Sequence, residues 1–248
     1  MSGTTVEIQT SDGVADAYIA RPDDDGRHPG VLLLIDAYGL RPQIERMADR
    51  IAAQGYVVLA PNVFYRHARG NLVEGIDLKD PEQRGSAFEK VKPLVSGLTP
   101  DLIARDAESY LDRLAEDADG PAGLTGYCMG GRLGWAIAAS HPERVAALGC
   151  FHTGGLVTGG EDSPHLRAPE IGAELYFGHA DNDRSMTPEN IATLNEALDE
   201  ANASYRAEVY AGAQHGYTMA DTAAYDEAAA ERHYDALFDL LGRTVTAA

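Results

Sequence analysis

The sequence predicts an α/β chain: a mainly parallel central sheet with helices on both faces. Two observations carry this. Short continuous apolar runs, "GVLLLI" and "YVVLA" among them, read as strands buried on both sides. Between such runs lie longer stretches whose apolar residues recur at helical spacing, and this alternation through most of the chain is that of parallel strands linked by crossover helices.

The chain opens with "TVEIQT" and "VADAYIA" around the turn sequence "SDG", a two-strand hairpin. "HPGVLLLIDAYG" follows as a central strand. "RPQIERMADRIAAQG" places Ile44, Met47, Ala48 and Ile51 on one helical face, stops at Gly55 and returns the chain to the strand "YVVLAPNVF". "YRHARGNLVEGIDLKDPEQRG" is rich in charge and glycine without a clean period, and reads as a surface excursion. "TPDLIARDAESYLDRLAED" is a helix capped by Thr99, with Leu102, Ile103, Ala107, Tyr110, Leu111 and Leu114 along one face. The strand "AGLTGY", the helix "GGRLGWAIAASH", the strands "RVAALGCF" and "AELYFG", the helix "TPENIATLNEALDEA", the strand "SYRAEVYA" and a last helix over about 222–241 complete the pattern. A chain of 248 residues, 44% of them hydrophobic, fits a single domain over 1–248.

Composition narrows the function. Lys plus Arg total 20 against 39 Asp plus Glu, a formal charge of −19, so nucleic acid is excluded as a partner by repulsion over most of the surface. Only Lys79, Lys90 and Lys92 are lysines, which makes the surface acidic and well solvated. The two cysteines, Cys128 and Cys150, form no disulfide framework and no metal spacing, which points to a reducing compartment. No basic-then-apolar leader stands at the N-terminus and the longest apolar run is too short for a bilayer, so a cytoplasmic protein without membrane contact is expected, monomeric or homodimeric.

The stretch "GLTGYCMGGRLGWAIA" carries the chemistry. A strand runs into Gly126, Tyr127, Cys128, Met129, Gly130 and Gly131 and then a helix, the form G-x-nucleophile-x-G of a strained strand-to-helix turn. Glycines there clear space where a Cβ would clash, and the turn lifts the sulfur off the sheet. At a helix N-terminus the thiolate form is favoured, and the Met129 N–H faces a developing oxyanion. A buried structural cysteine needs no such glycines, and that plainer reading suits Cys150.

In such elbow enzymes the acid and then the histidine follow the nucleophile along the chain. "HADND", after "AELYFG", offers Asp181 and Asp183; His215, in "AGAQHGYTM", stands in a glycine-flanked loop before the last helix. The loop "IDAYGL" after the first buried strand supplies the second oxyanion donor, the Ala37 N–H. Asp36 beside it is costly to bury unpaired, and is either a hydrogen-bonded strut or an acid that meets and controls the thiol. Tyr38, Phe64, Tyr65, His152 and Tyr217 fall on strand-end loops and are candidates to line a pocket.

With "GYCMGG", "GVLLLIDAYGL", "IAAQGYVVLAPNVF" and "AEVYAGAQHGY", the chain resembles the dienelactone hydrolase family of α/β-hydrolases, over nearly its whole length. The resemblance implies an α/β-hydrolase fold, Cys128 as nucleophile, His215 as general base and Asp183, which ends the segment A-x-x-D, as its partner. It implies hydrolysis of a small-molecule ester or lactone through a thioester, with no cofactor and no metal. Two departures bear on the substrate. The family's archetype has Glu where Asp36 stands, a residue implied to hold the thiol neutral until substrate binds, and it grips a substrate carboxylate with two arginines. Arg84 matches one of these loosely; Met219 occupies the place of the other. A less anionic ester or lactone is therefore expected. A thiol acyltransferase or thioesterase on the same residues, and a non-catalytic member that binds a ligand or senses oxidants through Cys128, are the alternatives.

Overall fold

The apolar runs become the middle of one sheet. In a computed structural model, residues 3–24 and 26–246 are described. Among these, eight strands follow in chain order: Thr4–Thr10 (β1), Gly13–Ala20 (β2), His28–Leu34 (β3), Val57–Pro61 (β4), Ala118–Tyr127 (β5), Val145–Phe151 (β6), Glu174–Asn182 (β7) and Tyr205–Gln214 (β8). They are ordered β1-β2-β4-β3-β5-β6-β7-β8 across the sheet. From β4 to β8 every pairing is parallel; β1 pairs antiparallel with β2 and β2 antiparallel with β4, so the sheet is mixed at the edge that the opening hairpin builds.

Six helices connect and cover it: Pro42–Ala52 (α1), Pro81–Gly97 (α2), Pro100–Ala115 (α3), Met129–Ser140 (α4), Pro188–Glu200 (α5) and Glu227–Thr244 (α6). Two glycines show how closely α3 and α6 approach opposite faces. A Cβ at Gly30 would lie 3.0 Å from Leu114 of α3, while one at Gly123, paired across the ladder with Val31, would lie 2.5 Å from Leu241 of α6. Residues 31–34 of β3 and 122–127 of β5 are thus buried on both sides, which is why "VLLL" of β3 is continuously apolar. On the α6 face, Arg50 of α1 reaches Glu231 of α6 and lies over the Tyr234 ring, 3.7 Å from its centroid.

One helix that the sequence did not show, and one helix boundary, differ from the expectation. The surface excursion gives way to α2 already at Pro81, where Asp80 accepts hydrogen bonds from the Glu82 and Gln83 N–H groups at 2.9 Å and proline sets the first turn. Only Ala87 and Val91 of α2 are buried, so its apolar stripe is too narrow to show as a period. The last helix starts at Glu227, not near Thr222, because Asp226 caps it through the Ala229 N–H (3.0 Å) and 219–225 turns on itself. Among the described residues no helix is long and apolar enough to cross a membrane.

The core also holds imidazoles in neutral form. His233 of α6 is fully buried, receives or donates at the Tyr127 hydroxyl (3.1 Å), and has its pKa pushed down to about 3 by burial; His179 of β7 goes down to about 4 for the same reason. In the unfolded chain both would bind protons below about 6.5. The unfolded state therefore gains protons that the native state refuses, and stability should fall as pH drops from about 6.5 toward 4, by up to roughly 1.4 kcal/mol per pH unit per histidine. Urea unfolding across this range should show that slope, and His233→Gln should flatten it by about one histidine's share.

Candidate active site

The end of β5 sets the geometry of the centre. Cys128 takes φ 55° and ψ −117°, a conformation that side chains other than glycine rarely adopt, and it is the residue before the first turn of α4. Its N–H donates to the Phe151 carbonyl of β6 (3.1 Å). The flanking glycines are sterically required. A Cβ at Gly126 would lie 2.4 Å from the Gly130 carbonyl oxygen, one at Gly130 would lie 2.1 Å from that of Leu34, and one at Gly131 would meet the Thr153 hydroxyl. The start of α4 is thereby pressed against the end of β3 and the loop after β6, with Cys128 at the tip, half-buried.

From the neighbouring strands come an acid and a base. Asp183, just beyond β7, accepts at Oδ2 from Nδ1 of His215 at 2.6 Å, and at Oδ1 from the Ser185 N–H (2.8 Å) and hydroxyl (2.6 Å). Burial alone would raise the Asp183 pKa, but these donors and the His215 charge outweigh it and hold the carboxyl below its usual range. Burial likewise opposes charge on His215, yet the adjacent Cys128 sulfur and the Asp183 carboxylate push its pKa up to about 10. The ring is therefore a cation at neutral pH whenever the sulfur beside it is an anion. Asp181, the other carboxylate of "HADND", is exposed and accepts instead from the Gly212 N–H (2.8 Å).

Relatives place the chain. A model of the dienelactone hydrolase family matches residues 15–245. The chain belongs to the dienelactone hydrolase family. Among its curated relatives, a carboxymethylenebutenolidase-like protein of Escherichia coli (strain K12) is 32% identical over 232 residues, which is 87% of this chain and 77% of that one. Another, from Synechocystis sp., is 29% identical over 234 residues and 92% of each chain. A dienelactone hydrolase-type crystal structure from Klebsiella pneumoniae subsp. pneumoniae superposes with a TM-score of 0.84 over 97% of this chain and 98% of that one at 24% identity, a likeness of fold.

In this family member the two oxyanion candidates, Ala37 and Met129, are both buried, on the loop after β3 and the first residue of α4 that the Gly130 contact brings together. Asp36, the residue before Ala37, is buried and hydrogen-bonded on both carboxylate oxygens. Its Oδ1 accepts from Arg41 (2.6 Å) and from the Tyr38 N–H (3.0 Å), and its Oδ2 accepts from Arg41 (3.0 Å). Arg41, 2% exposed, also donates to Asp221 (2.7 Å and 3.2 Å) and lies 3.6 Å from the Met219 sulfur. A guanidinium therefore stands beside Met219 after all, supplied from the loop after β3 and already claimed by two carboxylates. Tyr38 lies within electrostatic reach of the centre: burial raises its hydroxyl pKa, Asp36 and Cys128 add to the rise, and Arg84 and Arg41 oppose it. Arg84 is half-buried near the start of α2 and has no ion-pair partner among the described residues.

The aromatic candidates divide. His152 packs against His215, 5.3 Å between ring centroids, and Tyr217 packs in turn against His152 at 5.0 Å. Tyr65 points away, to Thr10 (2.8 Å) and Asp106 (3.0 Å) beneath α3, and Phe64 is core. Arg41, Asp221 and Thr218 were absent from the sequence reading. Arg41 had a signal, since a buried Asp36 demanded a cation and "GLRP" offers one within the same loop. Arg41→Ala should cost about 3–5 kcal/mol in urea unfolding, because it leaves two carboxylates without their cation. Arg84→Ala should stay within about 0.5 kcal/mol of the parent.

Proposed function

We propose that the protein hydrolyses small esters or lactones through a Cys128–His215–Asp183 triad on an α/β-hydrolase fold. The observation that carries this reading is the juxtaposition at the strained elbow: a thiol at the N-terminus of α4, beside an imidazole that Asp183 anchors at 2.6 Å. The eight-stranded, mostly parallel sheet with helices on both faces, and the family relationship, support it.

With its proton on His215, Cys128 attacks the substrate carbonyl as a thiolate, and the electron pair of the C=O bond moves to oxygen. The Ala37 and Met129 N–H groups hold that oxyanion, aided by the positive end of α4. Collapse breaks the C–O bond, and the departing alkoxide takes the proton from His215. The imidazole then deprotonates a water that attacks the thioester, and the acid leaves as the thiol re-forms with the returned proton. Asp183 holds the ring in the tautomer that presents its other nitrogen to sulfur and stabilises its charge. Asp36 acts here through Arg41 to hold the oxyanion loop.

The substrate reading follows from charge. Arg41 is neutralised by Asp36 and Asp221, so Arg84, with Tyr38 beside it, is left as the cation for an anionic group, and a neutral or singly charged ester or lactone fits better than one gripped from two sides. Hydrolysis of p-nitrophenyl acetate and of neutral and anionic lactones, followed by stopped flow, tests this. Cys128→Ala should abolish turnover and Asp183→Asn should lower kcat about 100-fold or more, with Asp181→Asn near the parent. Turnover that survives in Cys128→Ala, or the opposite ranking of the two aspartates, would overturn the assignment. Added alcohols or thiols that divert product to new esters would favour acyl transfer instead.

A further inference from the structure

Against His215 stands a second imidazole that this reaction does not use. His152 follows β6 directly, with φ 39° and 1% exposure, and its N–H donates to the Gly178 carbonyl (2.9 Å). Its ring meets that of His215 edge-on, centroids 5.3 Å apart and planes at 67°. Nε2 lies 2.7 Å from the hydroxyl of Thr218, three residues beyond His215 on the same loop, and Thr218 is itself buried. Nδ1 has no hydrogen-bond partner among the described residues. A phenyl ring would fill this space without leaving a buried nitrogen unpaired, which is costly, so packing does not account for an imidazole here. What the imidazole adds is the bond to Thr218.

That bond matters because of how His215 is otherwise held. The hydrogen bond to Asp183 fixes its Nδ1 but does not by itself set the tilt of the ring, and the tilt swings the opposite nitrogen toward or away from sulfur. The next residue, Gly216, has φ +96° and does not stiffen the loop. We propose that His152 is a positioning residue for the general base: through Thr218 it fixes the loop that carries His215, and its edge sets the plane of the His215 ring. The assignment rests on Cys128 and His215 being the reacting pair. Burial first, then the nearby His215 and His233, keep His152 uncharged, so it can stand against an imidazolium without repelling it. The other ionisable side chains packed on it, Tyr217 and Tyr127, are held neutral by burial.

The test uses His152→Phe, Thr218→Val and the double variant in the full-length protein, with two readouts. One is kcat and KM for a neutral ester. The other needs no substrate: the pH dependence of Cys128 alkylation by iodoacetamide, located by mass spectrometry, which reports the thiolate that a correctly placed His215 supports. Both single variants should lower kcat about 10- to 100-fold with KM little changed, the loss expected when a catalytic group shifts by about 1 Å. Both should also move the alkylation profile to higher pH by about one unit, and the double variant should be no worse than His152→Phe, since one hydrogen bond is lost in each. Should His152→Phe fail to fold, the near-isosteric Thr218→Val carries the same prediction. A parent protein with an acid-shifted profile that the variants leave unchanged would overturn the role of His152 alone. A parent that alkylates like an ordinary thiol would overturn the Cys128–His215 pair and the role of His152 together.

Discussion

The rest of the site hangs on the backbone of one residue. Cys128 is held at a positive φ by the collision of three strands' ends with the first turn of α4, and the glycines at 126, 130 and 131 are there because a neighbouring segment lies closer to each than any Cβ could tolerate. Strain of this kind costs on the order of 1–3 kcal/mol and persists only where the surroundings over-determine it. Here the surroundings are the parallel core itself: β3, β5 and β6 fix the Leu34 carbonyl, the Gly126 position and the Phe151 carbonyl that accepts from Cys128. The sheet and the Cys128 elbow are therefore one construction, and the loops after β7 and β8 have only to bring Asp183 and His215 to a point already fixed.

Those loops are secured by two different means. Around His215 the ties are short hydrogen bonds among groups of opposite or no charge, with Asp183, Ser185, His152 and Thr218 each occupied. On the other side a single guanidinium, Arg41, joins the loop after β3 to the segment beyond β8 through Asp36 and Asp221. A buried ion pair of this sort gains little net stability over an apolar contact, because both charges lose water, but it tolerates no vacancy in either partner. It fixes register more than it adds strength, and so holds the loop after β3 in one place beside the start of α4.

Much of this was legible in the sequence, and what was not has a common cause. Continuous apolar strands, amphipathic helices and the glycine frame of Cys128 are local patterns, and they gave the strand and helix order and the candidate nucleophile. Chain order pointed to His215 and left Asp181 and Asp183 both open, the family resemblance favoured Asp183, and the structure pairs Asp183 with His215 while Asp181 accepts from the Gly212 amide. α2 was missed because two buried residues make no period, and the edge hairpin, read correctly as a hairpin, makes the sheet mixed. Arg41, Thr218 and the contact of His152 with His215 join positions up to 180 residues apart, and no spacing rule reaches that far.

The placement of Cys128 also bears on the life of the chain before it is folded. A thiol in an extended chain has a pKa near about 8.5 and is mostly protonated at neutral pH. The positive end of α4, the imidazolium of His215 and the carboxylate that supports it come from three separate stretches, the last of them completed only when β8 has joined the sheet beside β7. During synthesis the sulfur thus lacks the charged neighbours that the folded chain gives it. The electrostatic setting of the sulfur is a property of the finished sheet, acquired in the same step that removes the surrounding apolar strands from water.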